Sequence, residues 1–240
     1  MAEINYQTMD IPPEVPSSRS AYRRFLAGFA GVQAIGLVMM TLLGVFLYSF
    51  GKSGFAWDKE HVFKFHPLFM TTALVHLNSK GMLLYRLMRN RPKLPVKIAH
   101  ACFNLMSFGM TIAGLVAVIQ HKNDLLHAHF FSLHSWLGIG TIGLFGLQWL
   151  AGFLVFLYPG GSPPIRAIVL RLHRFCGAII LGLACMTVLT GAVTLAGGIA
   201  NYDKLSWSAS MLNAFSISVV LFCLGVLLLL AVEDFRRPPG

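Results

Sequence analysis

Acidic residues are scarce in this 240-residue chain, which has nine Asp and Glu residues against nineteen Lys and Arg residues. The long apolar stretches are almost free of carboxylates. The sequence contains no nucleophile constellation, glycine-rich phosphate loop or cysteine metal cluster, so hydrolysis and nucleotide chemistry have little support. The four cysteines are isolated within apolar stretches, and we therefore expect no disulfide bonds.

Apolar sequence, in contrast, is abundant. Hydrophobic residues make up 56% of the chain, charged residues only 12%, and the mean hydropathy is +0.68, which indicates an integral membrane protein. A helix needs about 20 residues to cross a hydrocarbon core of about 30 Å. Six stretches are long enough and predict an all-α protein with six transmembrane helices: Phe25 to Phe50, Phe65 to Leu87, Val96 to Gln120, Phe131 to Leu157, Ile168 to Ala196 and Ser210 to Val232.

The loops between these stretches are short and contain strong helix breakers, as at residues 89–95 and 158–164. We therefore expect residues 21–237 to form a single domain in the lipid bilayer. Residues 1–20 are polar and contain several prolines, and they precede an apolar run too long for a signal peptide. This pattern predicts a disordered cytosolic tail followed by a retained first span.

The net charge of +10 alone would be compatible with nucleic-acid binding, but the distribution of the charges indicates orientation in a membrane instead. With the N-terminus in the cytosol, thirteen Lys and Arg residues lie in inner segments and five lie in outer ones. Positive charge accumulates on the cytosolic side of membrane proteins. Both termini are therefore predicted to be cytosolic, and no nucleic-acid partner is expected.

Four histidines stand at the openings of consecutive spans: His66, His100, His134 and His173. Because neighbouring spans run in opposite directions, His66 and His134 are expected near the outer surface and His100 and His173 near the inner one. An imidazole is costly in hydrocarbon and calls for a partner.

Two histidines from facing helices can ligate one haem iron from opposite sides. The spacing thus predicts two haems within a central four-helix bundle formed by spans two to five. With both axial positions occupied, the expected chemistry is one-electron transfer. Gly138 and Gly177, each four residues after a ligand, share its helix face and are compatible with a flat macrocycle or with ordinary helix packing. A proton relay or packing role explains one such histidine better than four, and zinc or copper lacks completing ligands.

Other polar residues in or near the spans have less certain roles. Lys80 is either a functional charge within the membrane or a lysine whose stem reaches the inner surface. His76 lies in the middle of a span, where we expect it to pack against or hydrogen-bond to a neighbouring helix. His127 and His129 lie in an outer loop, where they could bind a divalent ion, but we expect them to be solvated.

Several motifs resemble the cytochrome b561 family of transmembrane, ascorbate-dependent oxidoreductases. Besides the four-histidine frame they are SLHSW at Ser132 to Trp136, LLYRLMR at Leu83 to Arg89, KLPVKIAHA at Lys93 to Ala101, GLQWLAGF at Gly146 to Phe153 and RAIVLRLH at Arg166 to His173. The resemblance implies two b-type haems per chain, with ascorbate as the cytosolic donor. It also implies monodehydroascorbate or a ferric chelate as the acceptor, and a homodimer.

The resemblance also implies roles for residues near each surface. Lys93, Lys97 and Arg166 match the basic residues that hold ascorbate in the family, and ascorbate is an anion near neutral pH. Lys93 and Lys97 fall at helical spacing before His100, at a helix start that favours negative charge. On the outer side, His121 matches the histidine that the family places beside the second substrate.

Two other functional classes are compatible with the composition. A haem-free transporter or proton channel would use the histidines as a relay, but would benefit from carboxylates or broken helices within the membrane, and neither is evident in the sequence. A structural membrane subunit would leave the depth-matched histidines unexplained. No sorting signal chooses between the plasma membrane, a secretory vesicle and a lysosomal or vacuolar membrane.

Overall fold

The computed structural model describes residues 19–236, and all the long elements of that part are helices. The helices are α1 (Arg19–Ser49), α2 (Phe65–Met70), α3 (Asn78–Leu87), α4 (Lys93–Asp124), α5 (Leu133–Phe156), α6 (Pro163–Ala196) and α7 (Trp207–Ala231). A π-helix joins α2 to α3, and short 3-10 turns occupy Val62–Lys64, Tyr202–Lys204 and Glu233–Phe235. The predicted tail at residues 1–20 lies outside the described residues except for its last two, which begin α1.

Five of these helices, α1, α4, α5, α6 and α7, are long and apolar enough to cross a membrane. Helices α4 and α6 contain the apolar stretches predicted at their positions, whereas α1, α5 and α7 fall one or two residues short of theirs at one or both ends. Helix α6, for example, begins at Pro163 rather than at Ile168, because proline fits the first turn of a helix, where its missing N–H costs nothing.

The second apolar stretch is helical from end to end but is divided into three elements. Helix α2 passes into the π-helix Thr71–Leu77, which passes into α3. A π-helix widens the backbone turn and changes the faces that the following residues present, and such segments are frequent at functional sites. The interruption explains why no single α-helix covers this stretch.

Helices α1 and α7, the first and last spans in the sequence, pack closely against each other. Small residues allow this approach, since a Cβ atom built on Gly225 would lie 2.7 Å from Val32 Cγ2 and one on Gly28 would lie 2.9 Å from Leu229 Cδ2. Buried side chains such as Phe222 fill the contact. The four paired histidines lie on the other helices: α2, α4, α5 and α6.

One buried arginine joins the end of α3 to the end of α7. Arg86, whose exposure is only 8%, donates to the carbonyl oxygens of Leu229 at 2.7 Å, Leu230 at 2.5 Å and Val232 at 2.7 Å. The last carbonyls of a helix lack partners within the helix and carry partial negative charge, so a guanidinium stabilises them. This contact holds the second span against the α1–α7 pair.

Candidate functional site

His66 and His134 come together near one end of the bundle. His66 lies in the first turn of α2 and His134 in the first turn of α5. The centroids of their rings are 6.0 Å apart, and the ring planes make an angle of 83°. The Ser132 hydroxyl accepts a hydrogen bond from the Ser135 backbone N–H, which fixes the start of α5 at His134.

His100 and His173 come together in the same way near the opposite end. His100 lies two turns into α4 and His173 lies three turns into α6. Their ring centroids are 6.1 Å apart, with 64° between the ring planes. The four histidines therefore meet in the two combinations that the alternating directions of the spans predict.

In three of these imidazoles, Nδ1 lies within hydrogen-bond distance of a backbone carbonyl oxygen. The pairs are His66 with Gly114 at 3.0 Å, His100 with Gly81 at 2.8 Å and His134 with Thr187 at 2.9 Å. Since a carbonyl can only accept, we assign the proton of each ring to Nδ1, which leaves Nε2 free to bind a metal. His173 differs, because its Nδ1 is buried without a hydrogen-bond partner among the described residues.

The spacing and chemistry of the two pairs fit a haem iron. A bond from a metal to an imidazole nitrogen is about 2 Å and the ring centre lies about 1 Å beyond, so two rings on one metal have centres about 6 Å apart. Within residues 19–236, no group of three or more His, Cys, Asp and Glu side chains is placed to hold a metal ion. Zinc needs three or four protein ligands, whereas a porphyrin supplies four ligands to its iron and leaves two for the protein.

Two glycines on neighbouring helices make room for the histidine rings. A Cβ atom on Gly191 of α6 would lie 2.8 Å from Cε1 of His134, and one on Gly152 of α5 would lie 2.9 Å from Cε1 of His173. Any side chain at these positions would push the ring away, so each glycine sets the position of an imidazole. The sequence analysis missed both, because nothing in their local sequence shows which residue of another helix they face.

Helix α5 also contacts the backbones of α6 and α4, at His173 and at the residue that follows His100. Gln148 Nε2 donates to the carbonyl oxygen of His173 at 2.6 Å, and Trp149 Nε1 donates to that of Ala101 at 3.0 Å. These adjacent side chains from the GLQW segment hold α6 and α4 on either side of α5. These hydrogen bonds fix the backbone around His100 and His173. The GLQW motif alone did not show which residues its side chains contact.

The basic residues predicted to bind ascorbate lie at the inner ends of α4 and α6. Lys93 and Arg166 are exposed, and Lys97 is half-buried. Lys97 Nζ donates to the carbonyl oxygen of Phe156 at 3.1 Å, which places its ammonium at the end of α5. Lys93, Lys97 and His100 follow one another at helical spacing and therefore share one side of α4.

His121 lies one aromatic ring away from the pair formed by His66 and His134. Its ring centroid is 4.9 Å from that of Phe63, which in turn is 6.3 Å from that of His66. Nδ1 of His121 is buried without a hydrogen-bond partner among the described residues. His127 and His129 are exposed residues of the loop that follows α4, where His129 Nε2 lies 2.9 Å from Asn123 Oδ1.

A buried lysine organises the outer loop that precedes His66. Lys64 is only 2% exposed, and its ammonium donates to the carbonyl oxygens of Tyr48, Lys52 and Gly54. Burial lowers the pKa of Lys64 from its ordinary value, while three carbonyl dipoles accept from the charged form. These hydrogen bonds fix the loop to Lys64, two residues before His66.

A second contact within this loop involves Asp58 and His61. Oδ1 of Asp58 lies 2.8 Å from Nδ1 of His61 and also accepts from its backbone N–H at 3.0 Å. The bond from the imidazole lowers the pKa of the Asp58 carboxyl group, so this carboxylate stays ionised at neutral pH.

Comparison with known proteins gives a match over most of this chain. A family model described as eukaryotic cytochrome b561 matches residues 65–196, which contain all four paired histidines. The lysosomal membrane ascorbate-dependent ferrireductase CYB561A3 of Bos taurus is 39% identical over 211 residues, which are 84% of this chain and 80% of that protein. Its Homo sapiens counterpart is 37% identical, over 84% of this chain and 87% of that protein. The transmembrane ascorbate-dependent reductase CYB561 of Bos taurus is 34% identical over 209 residues, 86% of this chain and 82% of that protein.

Proposed function

Because the chain belongs to the eukaryotic cytochrome b561 family, we propose that it carries single electrons across a membrane from ascorbate through two b-type haems. It is an integral membrane protein, and its family implies a b-type haem. The observation that carries the proposal is the meeting of four histidines as two pairs, with ring centroids 6.0 and 6.1 Å apart, near opposite ends of one helical bundle.

In this proposal, His66 and His134 hold the outer haem and His100 and His173 hold the inner one. A haem bound by two histidines supplies one-electron chemistry without an open position on the iron for oxygen or substrate. The protein contributes ligands, orientation and an apolar surrounding. The Nδ1–carbonyl bonds fix three of the rings and make their Nε2 atoms better electron donors.

We place the protein in the membrane with six spans and both termini in the cytosol. The 23 residues from Phe65 to Leu87 are helical throughout and reach about 34 Å at 1.5 Å per residue, enough for a hydrocarbon core of about 30 Å. The thirteen basic residues in inner segments support this orientation, against five in outer ones. His100 and His173 then lie nearest the cytosol.

Ascorbate is the proposed electron donor, held at the cytosolic surface by Lys93, Lys97 and Arg166. Both named groups of relatives are ascorbate-dependent reductases. The start of α4 presents positive charge from its lysines and from its free N–H groups, which together attract an anion. The two lysines lie one and two turns before His100, so an anion held there is close to the inner pair.

On the outer side, the proposed acceptor is monodehydroascorbate or a ferric chelate. One group of relatives is named as ferrireductases of the lysosomal membrane, which supports iron reduction. His121, one ring from the outer pair, is the proposed contact for this acceptor. We also propose that two chains form a homodimer, as the family resemblance implies.

A proton relay without haem is the rival function, and the hydrogen bonds of the histidines disfavour it. A relay needs neighbours that both give and take protons. Instead, three of the four imidazoles donate to backbone carbonyls, which cannot pass a proton onward. The six apolar stretches also contain no Asp or Glu that would complete a chain between the two pairs.

Alanine substitutions of the four histidines test the proposed haem ligands. We expect purified wild-type protein to contain two haems per chain. The variants His100→Ala and His173→Ala should keep only the outer haem, and His66→Ala and His134→Ala only the inner one, because one axial ligand does not hold a haem in an apolar bundle. Haem-to-protein ratios and reduced-minus-oxidised absorption spectra measure this, with circular dichroism as the check on folding.

The exposed loop residue His129 supplies the matched control. The His129→Ala variant should retain two haems per chain, since its imidazole lies outside both pairs. An unchanged ratio in all four paired variants, or an equal loss in the control, would refute the ligand assignment.

A further inference from the structure

Two polar atoms, one on α1 and one on the second span, are buried without hydrogen-bond partners among the described residues. They are Nε2 of Gln33 and Nδ1 of His76. A buried polar atom left unpaired costs about 1–3 kcal/mol, so each such atom calls for an explanation. Neither residue belongs to the two histidine pairs or to the proposed ascorbate contacts.

Gln33 and His76 lie on different helices, α1 and the second span. His76 lies on the π-helix Thr71–Leu77 and faces α1, where a Cβ atom on Gly36 would lie 3.1 Å from its Cε1 and 3.2 Å from its Nδ1. Gln33 is one turn before Gly36 and shares that side of α1. The ring of Phe222 on α7 lies 5.7 Å from the His76 ring and closes the site.

Lys80 is the third polar member of this cluster. It lies four residues after His76 along the second span, about one helical turn away. Gln33 precedes Gly36 on α1, and Lys80 follows His76 on the second span. Because these two helices run in opposite directions, both residues lie nearer to the inner surface than the contact between Gly36 and His76. Lys80 also directly precedes Gly81, whose carbonyl accepts from Nδ1 of His100.

We propose that Gln33, His76 and Lys80 form a hydrated proton-binding site that is coupled to the inner haem. Nδ1 of His76 binds the proton, and a water held by the Gln33 amide and the Lys80 ammonium connects it toward the cytosolic surface. A water needs two to four polar partners, and these three side chains supply them. This inference rests on the proposed function, because it requires a haem at the inner pair.

Charge balance is the physical reason for the coupling. An electron added to a site of low dielectric constant is stabilised by a positive charge nearby, and burial otherwise keeps an imidazole neutral. His76 is five residues from Gly81, about 7.5 Å along the axis, but ten residues from His66, about 15 Å. Its charge therefore acts mainly on the inner haem.

The step balances in protons and electrons. When the ascorbate monoanion becomes the ascorbyl radical anion, it gives up one electron and one proton. The electron would reduce a haem iron held by His100 and His173 from ferric to ferrous, and Nδ1 of His76 would take up one proton from the cytosolic side. His76 would release that proton when the electron leaves this site.

Few other ionisable groups face His76. Gly36 of α1 and Phe222 of α7 lie against the ring, and the charged residues of α4 and α6 are confined to the ends of those helices. Along the second span, Lys80 is the charged residue nearest to His76 in sequence. We therefore assign a pH-dependent charge near the inner haem to protonation of His76.

Redox titration of the purified full-length protein between about pH 5.5 and 8.5 tests the proposal. In the wild type, the midpoint potential of the inner haem should fall as pH rises, with a slope approaching about 59 mV per pH unit, because one proton accompanies one electron. The His76→Gln variant keeps a polar side chain but takes up no proton in this range. Its slope for the inner haem should be less than half that of the wild type, while the outer haem is unaffected.

Two further variants separate proton binding from a packing role. Removal of the neighbouring positive charge in Lys80→Met should move the steep part of the curve to higher pH, an effect that packing alone does not produce. The exposed His129→Gln variant is the control and should retain the wild-type slope.

Equal slopes in the wild type and His76→Gln, or a flat curve in the wild type, would overturn the inference. Both outcomes leave two haems in the protein and the proposed function intact. Failure of the proposed function gives a different result, because a protein without haem has no midpoint potential to titrate.

Discussion

At the scale of single residues, the chemistry of the candidate site depends on where each side-chain nitrogen finds a partner. In three of the paired imidazoles, Nδ1–H donates a hydrogen bond to a backbone carbonyl. This bond stabilises a neutral ring whose Nε2 is free to bind a metal. Lys97 donates to a carbonyl at the end of α5 and is thereby held beside the start of α4. Local bonds thus prepare both the ligands and the proposed anion site.

Substitution of one basic residue tests the proposed ascorbate site. In Arg166→Ala, the loss of one charged contact to the anion should raise the KM for ascorbate about tenfold, since hydrogen bonds to charged groups contribute about 1.5–3 kcal/mol. The kcat should change little, because the electron path through the histidine pairs is intact. Initial rates of haem reduction at varied ascorbate concentration measure both constants.

Arg171 is the matched control for this variant. It is also a basic, exposed residue near the inner end of α6, but it has no proposed contact with ascorbate. Arg171→Ala should keep the wild-type KM. An equal rise in KM for the two variants would show a general effect of surface charge and remove Arg166 from the proposed site.

At the scale of elements, the positions of the histidine rings are set by contacts between helices. Gly191 on α6 faces His134 of α5, and Gly152 on α5 faces His173 of α6. Each of these two helices therefore supplies a glycine that lies against a histidine of the other, and the two contacts lie at opposite ends of the helix pair. Close approach requires glycine at both positions, because the atom that a side chain would meet belongs to a rigid ring.

Glycine substitutions should therefore remove the haems selectively. In Gly191→Ala the new methyl group would displace His134, and in Gly152→Ala it would displace His173, each at an overpacking cost of about 1–3 kcal/mol. We expect loss of outer haem in the first variant and of inner haem in the second, read from haem content and absorption spectra. Gly143→Ala on α5 is the control, since open space surrounds a Cβ atom there. Full haem content in both test variants would contradict this account of ring placement.

Sequence reasoning reached some of these features and missed others for physical reasons. Runs of apolar residues predicted the long helices, and the alternating direction of the spans predicted which histidines meet. The π-helix at Thr71–Leu77 was missed, because its hydrogen-bond register has no periodic signal in the sequence. Spacing along one helix pointed to Gly138 and Gly177, whereas the glycines closest to the ligands lie across the helix–helix contact.

At the scale of the whole molecule, the chain combines two histidine pairs with a marked asymmetry of charge. The pairs lie near opposite ends of one bundle, and basic residues accumulate at the end that contains His100 and His173. The α1–α7 pair packs alongside and is joined to the second span by Arg86. The two haems that we propose at these pairs would divide a membrane of about 30 Å into shorter electron-transfer steps.

Electron transfer across a sealed membrane tests this central claim most directly. The protein is reconstituted into lipid vesicles that contain a ferric chelate and a ferrous indicator, and ascorbate is added outside. Wild-type protein should reduce the enclosed iron. The variants His100→Ala and His134→Ala, which should each lose one haem, should transfer electrons at less than about a tenth of the wild-type rate. A tenfold slower rate corresponds to an activation barrier that is higher by about 1.4 kcal/mol. Protein-free vesicles control for leakage. Reduction at the wild-type rate by either variant would contradict an electron path through both histidine pairs.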